Sequence, residues 1–208
     1  MSSHHIVRDE QEPALLLWQP GQLSFAQAGQ LLEWSPRVVV HQQALAEALA
    51  WGIKLDAVWA ASLEQDTVVQ QVAHQQPVAV LPLPAKDPLQ GVIAWLRNKK
   101  QSSLNLVADA EADTFALLRQ LEGMQQEGVQ LQLISQGWRY NYIRRPEMRK
   151  WLPAGSLLRV LAFGAFPKVE GVMIESHAAG PQRQEIRLQQ SGLLSFTGGE
   201  SFWLGEHL

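Results

Sequence analysis

The chain contains no cysteine. That excludes a disulfide framework, a zinc–thiolate site and a cysteine nucleophile. No apolar run approaches the ~20 residues of a membrane-spanning helix. Charge is sparse too: 18% of residues are Asp, Glu, Lys or Arg, and the net charge of -3 is spread without blocks. A nucleic-acid partner calls for a basic face, which this distribution does not supply. The opening residues, MSSHHIVRDEQEP, lack the apolar segment of a signal peptide. The expectation is a soluble, cytoplasmic protein that binds neither nucleic acid nor membrane.

What is present is core material. The chain has 208 residues, 46% of them apolar, enough for one large or two small domains. Arg37 to Ser62 reads RVVVHQQALAEALAWGIKLDAVWAAS. Val38–Val40 is a β-branched run, Ala44–Trp51 has helical spacing and stops at Gly52, and Ala57–Ala60 is a second apolar run. Strand, helix and strand in about thirty residues is a βαβ unit. Ligands of open parallel sheets bind beyond the carboxyl ends of the strands. Here those ends are His41-Gln42-Gln43 and Ala60-Ala61-Ser62, and neither carries a carboxylate.

The remaining segments extend the pattern. Ala14–Trp18 reads as a strand, and Ser24 caps a helix reaching Trp34. A weaker helix over Leu63–His74 precedes a strand at Val78–Leu81. Asp87-Pro88 opens a helix to about Lys100, Leu104–Ala108 is a strand, Glu111–Glu127 a helix, and Val129–Ile134 a strand. From Trp138 onward the helical period vanishes. Short strands are expected at Trp138–Arg144, Leu157–Phe163, Val169–Ser176, Glu185–Gln190, Gly192–Phe196 and Ser201–Leu204, separated by Gly and Pro turns. The expected fold is therefore an α/β domain with a parallel sheet over residues 1–137, followed by a small antiparallel β-sandwich over 138–208.

This order, with the stretches LLEWSPRVVV, ALAEALAWGIKLDAVWA, FPKVEGVMI and SGLLSFTGGESFWLGE, resembles the thiamine pyrophosphokinase family. The resemblance implies transfer of a pyrophosphoryl group from ATP to thiamine, giving AMP and thiamine diphosphate. It also implies Mg2+, and a homodimer with thiamine held between the α/β domain of one subunit and the sandwich of the other. The motifs depart from the family residue by residue. An Asp-Gly-Ala step after the second strand becomes Gln42-Gln43-Ala44, and Gly-Asp-x-Asp-Ser after the third becomes Ala60-Ala61-Ser62-Leu63-Glu64. The family's metal carboxylates thus fall on Ala61 and Leu63. Its Thr-Asp pair falls near Asp87-Pro88, and of its Arg-x-x-Asp-His loop only Thr114-Phe115 fits. Ser195-Phe196 takes the place of a Ser-Asn step that contacts thiamine. Phosphoryl transfer depends on positioning and on neutralising charge, so losing the metal carboxylates removes the dominant contribution. The expected function is a thiamine pyrophosphokinase-like protein with weak or absent catalysis. The alternatives are a non-catalytic homologue binding thiamine, its phosphates or a nucleotide, and a dimeric interaction scaffold.

Candidate site residues follow. Asp87 and Asp113 are the candidate catalytic carboxylates, and Asp109 with Asp113 the candidate metal ligands. Against this, Asp109, Glu111 and Asp113 also read as charge favoured at a helix start, and Asp87 as an N-cap. His41 and Gln42 lie on the ligand side of the sheet. Ser195 and Trp138 are the thiamine-contact candidates in the second domain, an aromatic face suiting a cationic thiazolium; core packing is the competing reading for Trp138. Arg139, Arg144, Arg145 and Arg149 read as an anion grip, as one solvated face, or as a dimer contact.

Overall fold

The structure is a computed structural model that describes residues 12–21, 23–33, 36–109, 114–126, 129–144, 147–180 and 182–208. The first half alternates strand and helix: β1 Ala14–Gln19, α1 Phe25–Leu32, β2 Val38–His41, α2 Leu45–Ala50, β3 Ala57–Ala60, α3 Gln65–Gln71, β4 Ala79–Pro82, α4 Pro88–Asn98, β5 Ser103–Ala108, α5 Thr114–Gln126 and β6 Gln130–Ser135. The second half is all strand: β7 Trp138–Ile143, β8 Met148–Leu152, β9 Leu157–Ala162, β10 Lys168–Gly171, β11 Ile174–Ala178, β12 Arg183–Leu188, β13 Gly192–Thr197 and β14 Phe202–His207.

Local chemistry explains these elements. Ser24 caps α1 through its hydroxyl, and Gln27 returns the bond to the Ser24 amide, a capping box. β2 and β3 are buried at all four positions. That suits parallel strands covered on both faces, and their residues are accordingly apolar throughout. Leu15 and Leu16 point to opposite faces of β1, and both are fully buried. One face packs against α4 and α5, the other against α1, α2 and α3.

One eleven-stranded sheet runs in the order β11-β12-β9-β14-β7-β6-β5-β1-β2-β3-β4, and a second sheet holds β10-β13-β8. From β6 to β4 all neighbours are parallel; from β6 to β11 all are antiparallel. The small sheet closes a sandwich over Leu158, Val160, Ile186, Phe202 and Leu204. The fold is thus α/β followed by an antiparallel sandwich, with the large sheet continuous through both. The strand expected over Val169–Ser176 is instead two, β10 and β11, in different sheets. They part at Gly171, whose φ is 149° and where a Cβ would lie 2.2 Å from the Leu193 carbonyl oxygen. β8 was not expected at all.

The parallel half meets the antiparallel half at a two-residue turn. Ser135 pairs with Trp138, and Gln136 and Gly137 between them have φ of 51° and 75°. Two positive φ values are what a tight hairpin of the native twist requires. Glutamine is a poor residue there, and Asp109 compensates: its Oδ1 accepts from the Gln136 amide at 3.0 Å. Asp109 is itself fixed by its own amide, which donates to Gln19 O at 2.7 Å. Gly21 makes room, since a Cβ on it would lie 2.2 Å from the Asp109 carboxylate, and its φ is 52°. Gly21→Ala therefore strains the backbone by about 1–2 kcal/mol and displaces Asp109. Denaturant unfolding should show at least that loss; an unchanged midpoint would remove the Gly21–Asp109 contact from the account.

Candidate functional site

Strand order places the ligand edge. β1 lies between β2 and β5, so the connections reverse direction there, and the crevice of an open sheet falls at such a point. The sequence reading centred the edge on β2 and β3. It could not show that β5 returns to pair with β1, which moves the centre to Gln19-Pro20-Gly21 and Asp109.

Along this edge the described side chains mostly tie one strand end to another. His41 is 6% exposed, and its Nδ1 accepts from the Gln43 amide at 3.3 Å, capping a short 3-10 turn over Gln42–Ala44. Its ring lies 4.3 Å from that of Trp18. Burial lowers the His41 pKa, which keeps the ring neutral and Nδ1 free to accept. Gln42 Oε1 accepts from the Ala61 amide, joining the ends of β2 and β3. At the opposite end Asp56 does the same for their starts, accepting from the Val38 amide at 2.7 Å. Leu63, in the 3-10 turn after β3, is 96% exposed.

The described candidate carboxylates, Asp87 and Asp109, lie in separate depressions. Asp109 lines a cavity of about 60 Å³ with Pro20, Leu23, Gln27, Ser135 and Gln136. Asp87 lies in another depression, with Lys86, Gln90 and Arg97. It occupies the N-cap position of α4, yet its φ of 45° is left-handed and its side chain makes no cap bond. A capping side chain needs an extended backbone to reach the first amides. Asp113 and Glu111 lie outside the described residues. Among the described residues no group of three or more His, Asp or Glu side chains converges as a metal site. Asp109 faces the Gln136 amide, so the described residues do not fit a Mg2+ centre.

Of the remaining candidates, Trp138 directly follows the Gln136-Gly137 turn at this edge, and its side chain is packed in the core. Trp138 is 4% exposed; the Arg159 guanidinium lies 3.8 Å from its ring centre, and Tyr140 stacks beside it. Ser195 lies on the outer face of the small sheet, between Arg149 and Glu170 in register. Arg139 is half-buried, and Arg145 lies outside the described residues. Sequence reasoning missed Trp18, Gly21 and Gln136. A glycine just beyond a strand was the signal for Gly21; a tryptophan in an apolar run gave none for Trp18.

No family model and no curated protein matches the sequence. Solved structures do match. Thiamine pyrophosphokinase from Bacillus subtilis superposes with a TM-score of 0.64, covering 94% of this chain and 98% of that one at 10% identity. The Candida albicans thiamin pyrophosphokinase gives 0.64 over 94% and 90% at 9% identity, and the yeast protein 0.63 over 95% and 86% at 10% identity. The chain has the thiamine pyrophosphokinase fold. The likeness covers 94% of this chain, across both the parallel and antiparallel parts.

His41 generates a pH prediction. The folded chain holds the His41 proton less tightly than the unfolded chain does. Its contribution is therefore complete above the ordinary value of 6.5 and declines as pH falls below it. Unfolding free energy measured from pH 7.5 to 5 should fall on the acid side, and His41→Asn should flatten that slope. An equal slope in the variant would assign the loss to other groups.

Proposed function

We propose that this chain is a thiamine pyrophosphokinase-like protein that keeps the scaffold and has weak or no pyrophosphoryl transfer, binding thiamine, a thiamine phosphate or a nucleotide without efficient turnover. The supporting observation is the state of the strand-end edge. His41, Gln42 and Asp109, described polar side chains at the strand ends, serve backbone amides of Gln43, Ala61 and Gln136. The positions matched to metal carboxylates are Ala61 and an exposed Leu63. Transfer from ATP needs cations held against the phosphates, since charge neutralisation supplies most of the acceleration. A chain without those carboxylates retains shape and positioning and little of that stabilisation.

A homodimer belongs to this reading. Trp151 and Leu193 are register partners on the outer face of the small sheet, 63% and 46% exposed. This apolar pair, beside Ser195, is a surface that a second copy would cover.

Product analysis after incubation with thiamine, ATP and Mg2+ tests the proposal. The expected result is thiamine-dependent tryptophan quenching with little or no AMP, beside an active control enzyme. Equal amounts of AMP and thiamine diphosphate at ordinary enzyme rates would overturn it. Asp87→Ala and Asp113→Ala would then identify the carboxylates that carry the reaction.

A further inference from the structure

The opposite edge of the sheet holds a second concavity. A cavity of about 450 Å³ opens at the N-terminal ends of β5 and β6, the far end of those strands from Asp109 and Gln136. Its volume lies within the range of small-ligand sites, roughly 300–1,000 Å³. The floor is an amide row. Asn105 on β5 is in register with Gln132 on β6, and Gln132 with Asn141 on β7. All three are half-buried. Interior strands of a parallel sheet are ordinarily apolar, and asparagine is depleted from strands. Asn105 stands beside Leu15 of β1, where that rule holds, so the amide row breaks the pattern locally.

The row presents a defined edge. Gln132 Nε2 donates to Asn141 Oδ1 at 2.7 Å. One such bond between two carboxamides leaves an acceptor, Gln132 Oε1, and a donor, Asn141 Nδ2, on two side chains that are register partners. Reversing both amides again leaves one donor and one acceptor, with the roles of the two residues exchanged. A donor and an acceptor so paired match the hydrogen-bonding edge of a nucleobase. Ser103 and Gln130, two residues along their strands from Asn105 and Gln132, also line the cavity, as does exposed Arg144, whose planar fork is suited to a phosphate.

We propose that this cavity binds a nucleoside monophosphate, with the base on Gln132 and Asn141 and the phosphate at Arg144. The site is separate from the strand-end edge and does not depend on whether the chain transfers pyrophosphate. Calorimetry on the full chain with UMP, CMP, AMP, the matching nucleosides and inorganic phosphate tests it. At least one monophosphate should saturate, its nucleoside should bind roughly tenfold more weakly, and inorganic phosphate should not compete. Arg144→Ala should reduce the nucleotide to the affinity of the nucleoside. Asn141→Asp, which keeps the shape and exchanges a donor for an acceptor, should weaken both. Saturating thiamine should displace neither. The proposal is overturned if no monophosphate binds at millimolar concentration, if Asn141→Asp binds like the native chain, or if thiamine or phosphate alone displaces the nucleotide.

Discussion

Asp109 holds the turn at which the sheet changes character. Its carboxylate accepts from the Gln136 amide, and its amide donates to Gln19 O. That links the end of the central strand, the end of β5 and the hairpin from which the antiparallel half departs. Gln136 occupies a left-handed conformation that glutamine rarely adopts, and the hydrogen bond helps to hold it there. Gly21 leaves the space Asp109 needs. Asp109, a carboxylate at the crevice, is therefore part of the scaffold.

The same logic extends along the edge. His41 caps a turn with a neutral ring, and Gln42 joins two strand ends. Neutral acceptors serve these backbone amides without the desolvation penalty that buried carboxylates would incur. This arrangement ties the strand ends together, and among the described residues no three or more His, Asp or Glu side chains group as a metal site. A fold used elsewhere for phosphoryl transfer, as the names of its solved neighbours state, here presents an edge organised around its own backbone.

Much of the architecture was readable in the residues. Val38–Val40 and Ala57–Ala60 are strands because short, wholly apolar runs suit buried parallel positions, and Ser24 announced a helix start. Strand order was not readable, because β5 reaches β1 only by crossing three intervening strands. β8 escaped notice because Arg149 and exposed Trp151 alternate with inward residues, among them Lys150, which pairs with Glu206. The break at Gly171 was hidden inside a continuous β-favouring run. At the site, the expectation that Ala61 and Leu63 stand at the positions of metal carboxylates came from the resemblance of the residues alone. The work done by their neutral neighbours emerged only from hydrogen-bond partners far apart in the chain, Gln42 with Ala61 and Asp109 with Gln136.

In the proposed function the scaffold persists without the family's metal carboxylates, Ala61 and Leu63 standing at the matched positions. Mg2+-dependent ATP affinity, compared between the native chain and the double variant Ala61→Asp/Leu63→Asp, tests it most directly. Leu63 is fully open to solvent, so the new carboxylate there does not disturb a core. The account predicts that added Mg2+ leaves ATP affinity unchanged in the native chain and raises it in the variant. Equal Mg2+ dependence in both chains would contradict it, and would mean that other residues of the native protein hold the metal.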